Sequence, residues 1–341
     1  MEDVELDCGS WTLVREIGHG AYGVVYMATN RVGEAAALKV CRRDALDGDR
    51  YERELRGAKV YKTIPPVEGL VRMLELGERD WGFYVVMELA DDEFGAAPSI
   101  EADYRPKTLS RVIDGEKALP IKAALKLGIS LATGLEMLQR HHLLHRDIKP
   151  GNVIYVHGRP VLSDFGLLVG EAEAASLVGT PGYVPPENFT EASGDVYSLG
   201  LTLKAASFGR SVDELNLGPT LEADTGNRFF AAWWRILNKA THPDLAYRYR
   251  SAKALLKDLT ALRRKMSLST IFSKSPLAIV LKLLLVVAIV MLVLKLFIYK
   301  RVREDMPNVN HALEASRRAV EHVNKTVDNM KKLNEDLKRL K

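Results

Sequence analysis

The chain has 341 residues, 47% of them apolar, enough for one sizeable folded domain with extensions. Its net charge of +4 is uneven: residues 300–341 hold 11 Lys/Arg against 7 Asp/Glu, residues 266–299 hold three lysines and no acid, and residues 1–265 keep 34 basic and 37 acidic side chains. The high pI belongs to the C-terminal end, so the slightly acidic folded part is not expected to carry a nucleic-acid face.

Taken in order, Met1-Glu2-Asp3-Val4-Glu5 is acidic and lacks an apolar h-region, so no signal peptide is expected. Cys8 and Cys41 are the only cysteines; they show no CxxC or Cys/His spacing and are expected to be reduced, cytoplasmic thiols. Residues 11–27 alternate around Gly18-His19-Gly20-Ala21-Tyr22-Gly23, which predicts two strands joined by a glycine-rich turn. Ala37-Leu38-Lys39-Val40 falls on the next strand, and a helix over 51–62 offers Glu52 and Glu54 as partners for Lys39. Residues 70–89 predict two strands around Gly77-Glu78-Arg79-Asp80, the second running from Phe83 into Ala90. Residues 91–107 read as a polar loop that either shapes access to a site or is a tolerated surface excursion.

A helical period through Ala124, Leu127, Leu131, Leu135 and Leu138 leads into His145-Arg146-Asp147-Ile148-Lys149-Pro150-Gly151-Asn152-Val153. Asp164-Phe165-Gly166 begins twelve residues after Asn152. A small, acidic stretch over 170–176 precedes Gly179-Thr180-Pro181-Gly182-Tyr183-Val184-Pro185-Pro186-Glu187. Asp195-Val196-Tyr197-Ser198-Leu199-Gly200 and a late Arg248 complete the set, while Trp233 and Trp234 are expected in the core. A single triplet would carry little weight. The ordered set resembles the eukaryotic-type Ser/Thr protein kinase family over about residues 10–262.

That resemblance implies an α+β, bilobal protein-kinase-like fold acting on ATP, Mg²⁺ (or Mn²⁺) and a protein substrate. Ile17, Gly18, Gly20 and Gly23 would cover the nucleotide, the glycines letting backbone N–H groups approach its phosphates. Val25 and Ala37 would line the adenine, with Met87 as gatekeeper and the backbone of Glu88 and Ala90 on the adenine edge. Lys39 would hold the α/β-phosphates, partnered by Glu54, because Glu54-Leu55-Arg56-Gly57-Ala58 fits the family pattern. Ala58 is smaller than the residue usual there, and Pro185 replaces the usual Ala. Phosphoryl transfer passes through a loose, highly charged transition state, so the protein mainly positions and neutralises. Asp147 would meet the attacking hydroxyl, Lys149 would offset γ-phosphate charge, and Asn152 and Asp164 would hold the metal. Thr180 with Lys149 is the Ser/Thr-type signature. Arg146 would receive a phosphate on Ser176, or Glu171 or Glu173 already fills that role. Asp195 would tether the catalytic loop, and Arg248 would pair with Glu187.

Past residue 265 the character changes. Residues 277–299 are apolar except for Lys282 and Lys295, and 23 residues at 1.5 Å each reach about 34 Å, against a hydrocarbon core of ~30 Å. The two lysines lie near the ends, where they can snorkel, and fall roughly 140° apart around a helix, so they share no polar face. Val309, Leu313, Ser316, Val320, Val323, Val327, Met330, Asn334 and Leu337 follow a 4-3 repeat: a weak coiled-coil seam, or an amphipathic helix that docks elsewhere.

The expected organisation is a kinase domain over 1–265 (small lobe about 10–90, large lobe about 91–265), a juxtamembrane linker over 266–276, a transmembrane helix over 277–299 and a helical tail over 300–341. The expected protein is a single-pass cell-membrane signalling kinase with its catalytic domain in the cytoplasm, dimerised through the tail and without a nucleic-acid partner. A membrane-anchored pseudokinase scaffold is the alternative. A small-molecule kinase is disfavoured by segment 179–187 and Arg248.

Overall fold

A computed structural model describes residues 6–339 apart from 21–22, 47, 96–102, 117, 165–168, 171–178, 190, 211–227 and 275. The chain divides into two compact units, Met1–Ser267 and Leu268–Lys341. In the first unit the alternating N-terminal residues form an antiparallel sheet of β1 (Trp11–Gly20), β2 (Gly23–Asn30), β3 (Ala35–Arg42), β4 (Met73–Arg79) and β5 (Gly82–Met87), in the order β1-β2-β3-β5-β4. β5 is buried along its whole length, as its run of aromatic and β-branched residues requires. Between β3 and β4 the chain forms α1 (Gly48–Lys62), which buries Tyr51, Leu55, Ala58 and Tyr61. The Tyr51 ring meets Phe83 of β5 edge-on at 5.5 Å.

The turn between β4 and β5 lies at Asp80-Trp81, not over 77–80. Gly77 remains inside β4 because the Tyr84 ring covers it: a Cβ there would come within 2.2 Å of that ring. The glycine marks close packing rather than a bend.

The larger lobe is mostly helical: α2 (Leu109–Glu116), α3 (Ile121–Arg140), α4 (Ala192–Phe208), α5 (Arg228–Ala240) and α6 (Ala252–Lys274). Two short antiparallel pairs sit at its cleft side, β6 (Leu143–Leu144) with β9 (Val169–Gly170) and β7 (Val153–Val156) with β8 (Arg159–Leu162). All five apolar positions of the α3 period are buried. α4 is buried on nearly every side, including Asp195, Ser198 and Thr202, so it forms the axis of the lobe. One apolar cluster runs from Leu55 and Val85 through Leu131 and Leu135 to Leu255 and Leu259, joining the two lobes. Gly69 sits at that junction with φ +87°, where a Cβ would lie 1.9 Å from the Ser130 carbonyl. Its own carbonyl accepts from Leu162 N–H at 2.8 Å. Trp233 is buried as expected, whereas Trp234 is half-buried, with the Lys204 ammonium 5.0 Å from its ring.

The expected linker over 266–276 is largely helical, since α6 continues to Lys274. The second unit contains α7 (Pro276–Arg339), 64 residues long and about 96 Å from end to end. Its segment Leu283–Arg301 has a mean hydropathy of 2.6, long and apolar enough to cross a membrane by length and composition. α7 passes through Pro307 without interruption, and Val309, Leu313, Val320, Val323 and Met330 are exposed along it.

Candidate active site

The site lies where the sheet faces the larger lobe. Ile17, Gly18, Val25, Ala37 and Lys39 line a cleft from the sheet, Met87 from the end of β5, Glu88 and Ala90 from the interlobe connection, and Asn152 and Asp164 from below. Gly23 differs in kind from Gly18. A Cβ on Gly23 would fall 2.2 Å from the Val40 carbonyl, so the packing of β2 on β3 requires that glycine. A Cβ on Gly18 would meet nothing within 4 Å, which leaves its backbone open on the cleft side. Gly20 ends β1, and the tip at 21–22 lies outside the described residues.

The interlobe connection has its backbone groups sorted. Glu88 N–H donates to the Arg72 carbonyl at 3.1 Å, and the Ala90 carbonyl accepts from the Tyr104 hydroxyl at 3.0 Å. Among the described residues, the Glu88 carbonyl and the Ala90 N–H take no partner.

The loop after β6 is built on one buried carboxylate. Asp195 accepts from the backbone N–H of His145 and of Arg146, 2.7 Å each. Those two bonds hold Arg146 at φ +66°, a conformation a non-glycine residue adopts only under such constraint. Burial pushes the Asp195 carboxyl above its ordinary pKa, while His145 and the two N–H groups pull against it. Fixed in this way, the loop presents Asp147, whose Oδ2 accepts from Asn152 Nδ2 at 2.7 Å and from Lys149 Nζ at 2.9 Å. The Thr180 hydroxyl donates to Asp147 Oδ1 at 2.6 Å and accepts from Lys149 Nζ at 2.6 Å. Asp147, Lys149, Asn152 and Thr180 are thus in mutual contact, while Lys149 and Thr180 also line a neighbouring groove with Asp114 and Tyr183.

Asn152 spends its amide N–H groups on Asp147, to the carboxylate and to the backbone carbonyl at 2.8 Å. Its Oδ1 is the atom left for the cleft. Ser163 N–H donates to the Asn152 carbonyl at 2.9 Å, which sets Asp164 beside it. One neutral and one anionic oxygen suit Mg²⁺, which takes one or two carboxylates and fills its shell with phosphate and water. Among the described residues there is no cluster of three His, Cys, Asp or Glu that would hold a metal alone.

Lys39 departs from expectation. It pairs with Asp164 at 2.7 Å and makes no ion pair within 4.0 Å with Glu54. Glu54 lies in the wall behind it, with Cys41, Ala58 and Met87. Two carboxylates compete for one ammonium, and Asp164, at φ +60°, reaches it directly. Burial works to lower the Lys39 pKa, but the opposing pull of Asp164, joined by Cys41 and Glu54, outweighs it and the ammonium is held above its usual value. Burial pushes the Glu54 carboxyl up to about 8 against the opposing pull of Lys39, and a protonated Glu54 needs no cation.

A carboxyl whose folded pKa exceeds its unfolded value binds more protons when folded, so it favours folding at low pH and withdraws that support as pH rises from about 4.5 towards 8. Glu54→Gln is therefore expected to flatten the loss of stability between pH 6 and 9. Denaturant titrations of both proteins at those pH values check this, and parallel curves would place Glu54 outside the linkage.

Ser176 lies outside the described residues. Sequence reasoning missed Tyr104, Pro106, Thr108 and Ile154, all of which line the cleft; an aromatic residue inside a polar stretch was the available signal. Arg248 donates to Glu187 from both terminal nitrogens, at 2.5 and 3.1 Å, as expected.

The two lobes, the interlobe cleft and this polar cluster define a kinase architecture. A family model described as protein kinase domain matches residues 11–270, and the chain belongs to that family. It is 34% identical over 243 residues to serine/threonine-protein kinase PknK of Mycobacterium tuberculosis, covering 68% of this chain and 20% of PknK. It is 28% identical over 218 residues to serine/threonine-protein kinase AfsK of Streptomyces griseus, covering 60% of this chain and 25% of AfsK. The matches therefore span a quarter or less of those two proteins. Among solved structures, the M. tuberculosis PknI kinase domain matches with a TM-score of 0.57 at 24% identity, over 76% of this chain and 98% of that one, a likeness of fold.

Proposed function

We propose that the chain is a membrane-anchored protein kinase that transfers the ATP γ-phosphate to Ser and Thr hydroxyls. The observation that carries this is the contact set around Asp147. A hydroxyl, that of Thr180, is already seated against Oδ1, while Lys149 and Asn152 hold Oδ2. A substrate hydroxyl in the same position would be oriented and relieved of its proton by the carboxylate. Lys149 would carry positive charge towards the phosphoryl group in flight, and Lys39 would secure the α/β-phosphates. Asn152 Oδ1 and the Asp164 carboxylate would hold Mg²⁺, which when bound neutralises charge on the phosphates. Glu54 would take over Lys39 once Asp164 is engaged. Adenine would lie between Val25, Ala37 and Met87, its edge on the Glu88 carbonyl and the Ala90 N–H.

The test is transfer of labelled γ-phosphate by the full-length protein with Mg²⁺ to itself and to a generic protein acceptor. Label on serine and threonine supports the reading. ATP binding without transfer to any protein would replace it with the scaffold.

Segment Leu283–Arg301 supports anchoring by its length and composition, and the need for cytosolic ATP would put the kinase domain on the cytoplasmic side. The exposed stripe Val309, Leu313, Val320, Val323 and Met330 supports pairing of two tails, which would bring two kinase domains together for phosphorylation in trans. Deleting residues 306–341 should then lower autophosphorylation in membranes several-fold at unchanged ATP binding. Equal autophosphorylation by the truncated protein would remove the dimer from the reading.

A further inference from the structure

Beyond Ala90 the described residues Asp91–Glu93 and Arg105–Lys107 pair as a short ribbon beside the cleft, while residues 96–102 lie outside the described residues. Asp92 bridges to Pro106, Glu93 N–H donates to the Arg105 carbonyl at 2.8 Å, and Lys107 N–H donates to the Asp91 carbonyl at 2.8 Å. Asp91 anchors it by accepting from the N–H groups of His157 and Gly158 at 2.8 and 2.7 Å. The return arm places Tyr104, 4% exposed, against the nucleotide cleft. Its hydroxyl donates to the Ala90 carbonyl at 3.0 Å. Arg15, two residues before Ile17 on β1, lies 5.8 Å from the centre of the Tyr104 ring and reaches its backbone carbonyl at 3.5 Å. The ring is thus held from the strand, from the ribbon and from the interlobe connection. Burial, reinforced by Asp92 and Asp91, keeps the hydroxyl above its ordinary pKa, so it remains a donor.

We propose that Tyr104 sets the purine specificity of the cleft by occupying the Ala90 carbonyl, so that the accepted nucleotide carries no hydrogen-bond donor at purine C2. This rests on the reading that the Glu88 carbonyl and the Ala90 N–H take the adenine edge. In that arrangement the 6-amino group donates to Glu88 and N1 accepts from Ala90. The next ring position, C2, faces the carbonyl of Ala90. Adenine presents only C–H there. A 2-amino group would bring a donor to a carbonyl on which the Tyr104 hydroxyl already takes one lone pair, leaving it a weaker, shared bond, and a poorly paired buried donor is costly. Tyr104→Phe keeps the ring and frees the carbonyl.

The probe is 2-amino-ATP, which retains the 6-amino group and N1 and so isolates C2. Its affinity is compared with that of ATP by competition binding to the full-length protein. The wild type should bind 2-amino-ATP no more tightly than ATP. In Tyr104→Phe the ratio of the two affinities should move towards 2-amino-ATP by roughly five- to tenfold, the worth of one recovered hydrogen bond. An unchanged ratio in the variant, with ATP bound by both proteins, overturns the role of Tyr104 alone. Tighter binding of 2-amino-ATP by the wild type overturns it without recourse to the variant. Failure of the wild type to bind ATP at all refutes the adenine-site reading and this inference with it.

Discussion

Asp147→Asn is expected to reduce phosphoryl transfer by about 10²–10³ or more, a barrier increase of roughly 3–4 kcal/mol. The substitution preserves shape and removes the only side chain in the Lys149–Asn152–Thr180 cluster placed to take a proton. It also disturbs the cluster itself. Lys149 and Asn152 both donate to Oδ2, and Thr180 donates to Oδ1. An amide must turn its NH₂ towards one of those donors, so at least one of the three donations is lost or, at Thr180, reversed. Asp147 does not line the nucleotide cleft, so ATP affinity should change little while the rate collapses. Initial rates of label transfer, measured beside nucleotide binding, separate the two effects. Transfer within tenfold of wild type would show that another group takes the proton.

Glu187→Ala is expected to destabilise the larger lobe by about 3–5 kcal/mol, because it leaves a buried guanidinium without its anion. The Arg248 side chain is 0% exposed and Glu187 only 21%. Arg248 keeps its bonds to the carbonyls of His242 and Pro243, at 2.8 and 3.1 Å, and its approach to the Tyr197 ring at 4.8 Å. Those contacts retain the charge in place rather than letting it escape to water. The residual exposure of Glu187 points to the lower end of the range. Adding Arg248→Met should recover part of the loss, since an apolar side chain of similar length needs no counter-charge. Denaturant unfolding followed through buried Trp233 reads both variants, and a loss below about 1 kcal/mol in the single variant would mark the pair as energetically neutral.

How much of this could be read in the sequence depends on what fixes each feature. Asp147, Lys149 and Asn152 were legible because the chemistry demands those groups at short spacing in one loop, whereas Thr180, 31 residues beyond Lys149, was legible only through the resemblance. The Glu187–Arg248 pair was legible only through resemblance, since 61 residues separate its members. The partner of Lys39 was not legible: Glu54 and Asp164 are equally good anions on paper, and only the distances of the folded chain choose between them. Tyr104 was missed for a related reason. Its place depends on pairing between Asp91–Glu93 and Arg105–Lys107, and neither arm has the apolar alternation that announces a strand. Gly77 looked like a turn because the sequence does not reveal that an aromatic ring lies over it. The helical run to Lys274 was masked by its polar composition, whereas Pro276 takes the first helical position of α7, the one place in a helix where proline is welcome.

A second proline gives α7 a mechanical property. Pro307 has no N–H to offer the Arg303 carbonyl, so the ladder lacks one rung between the apolar segment ending at Arg301 and the stripe beginning at Val309. Stiffness along the rod is therefore not uniform. Sideways bending concentrates in that single turn, a soft joint just beyond the apolar stretch, while the segments on either side remain rigid. The far part of α7 can swing as a lever about this joint without prying the apolar part out of line.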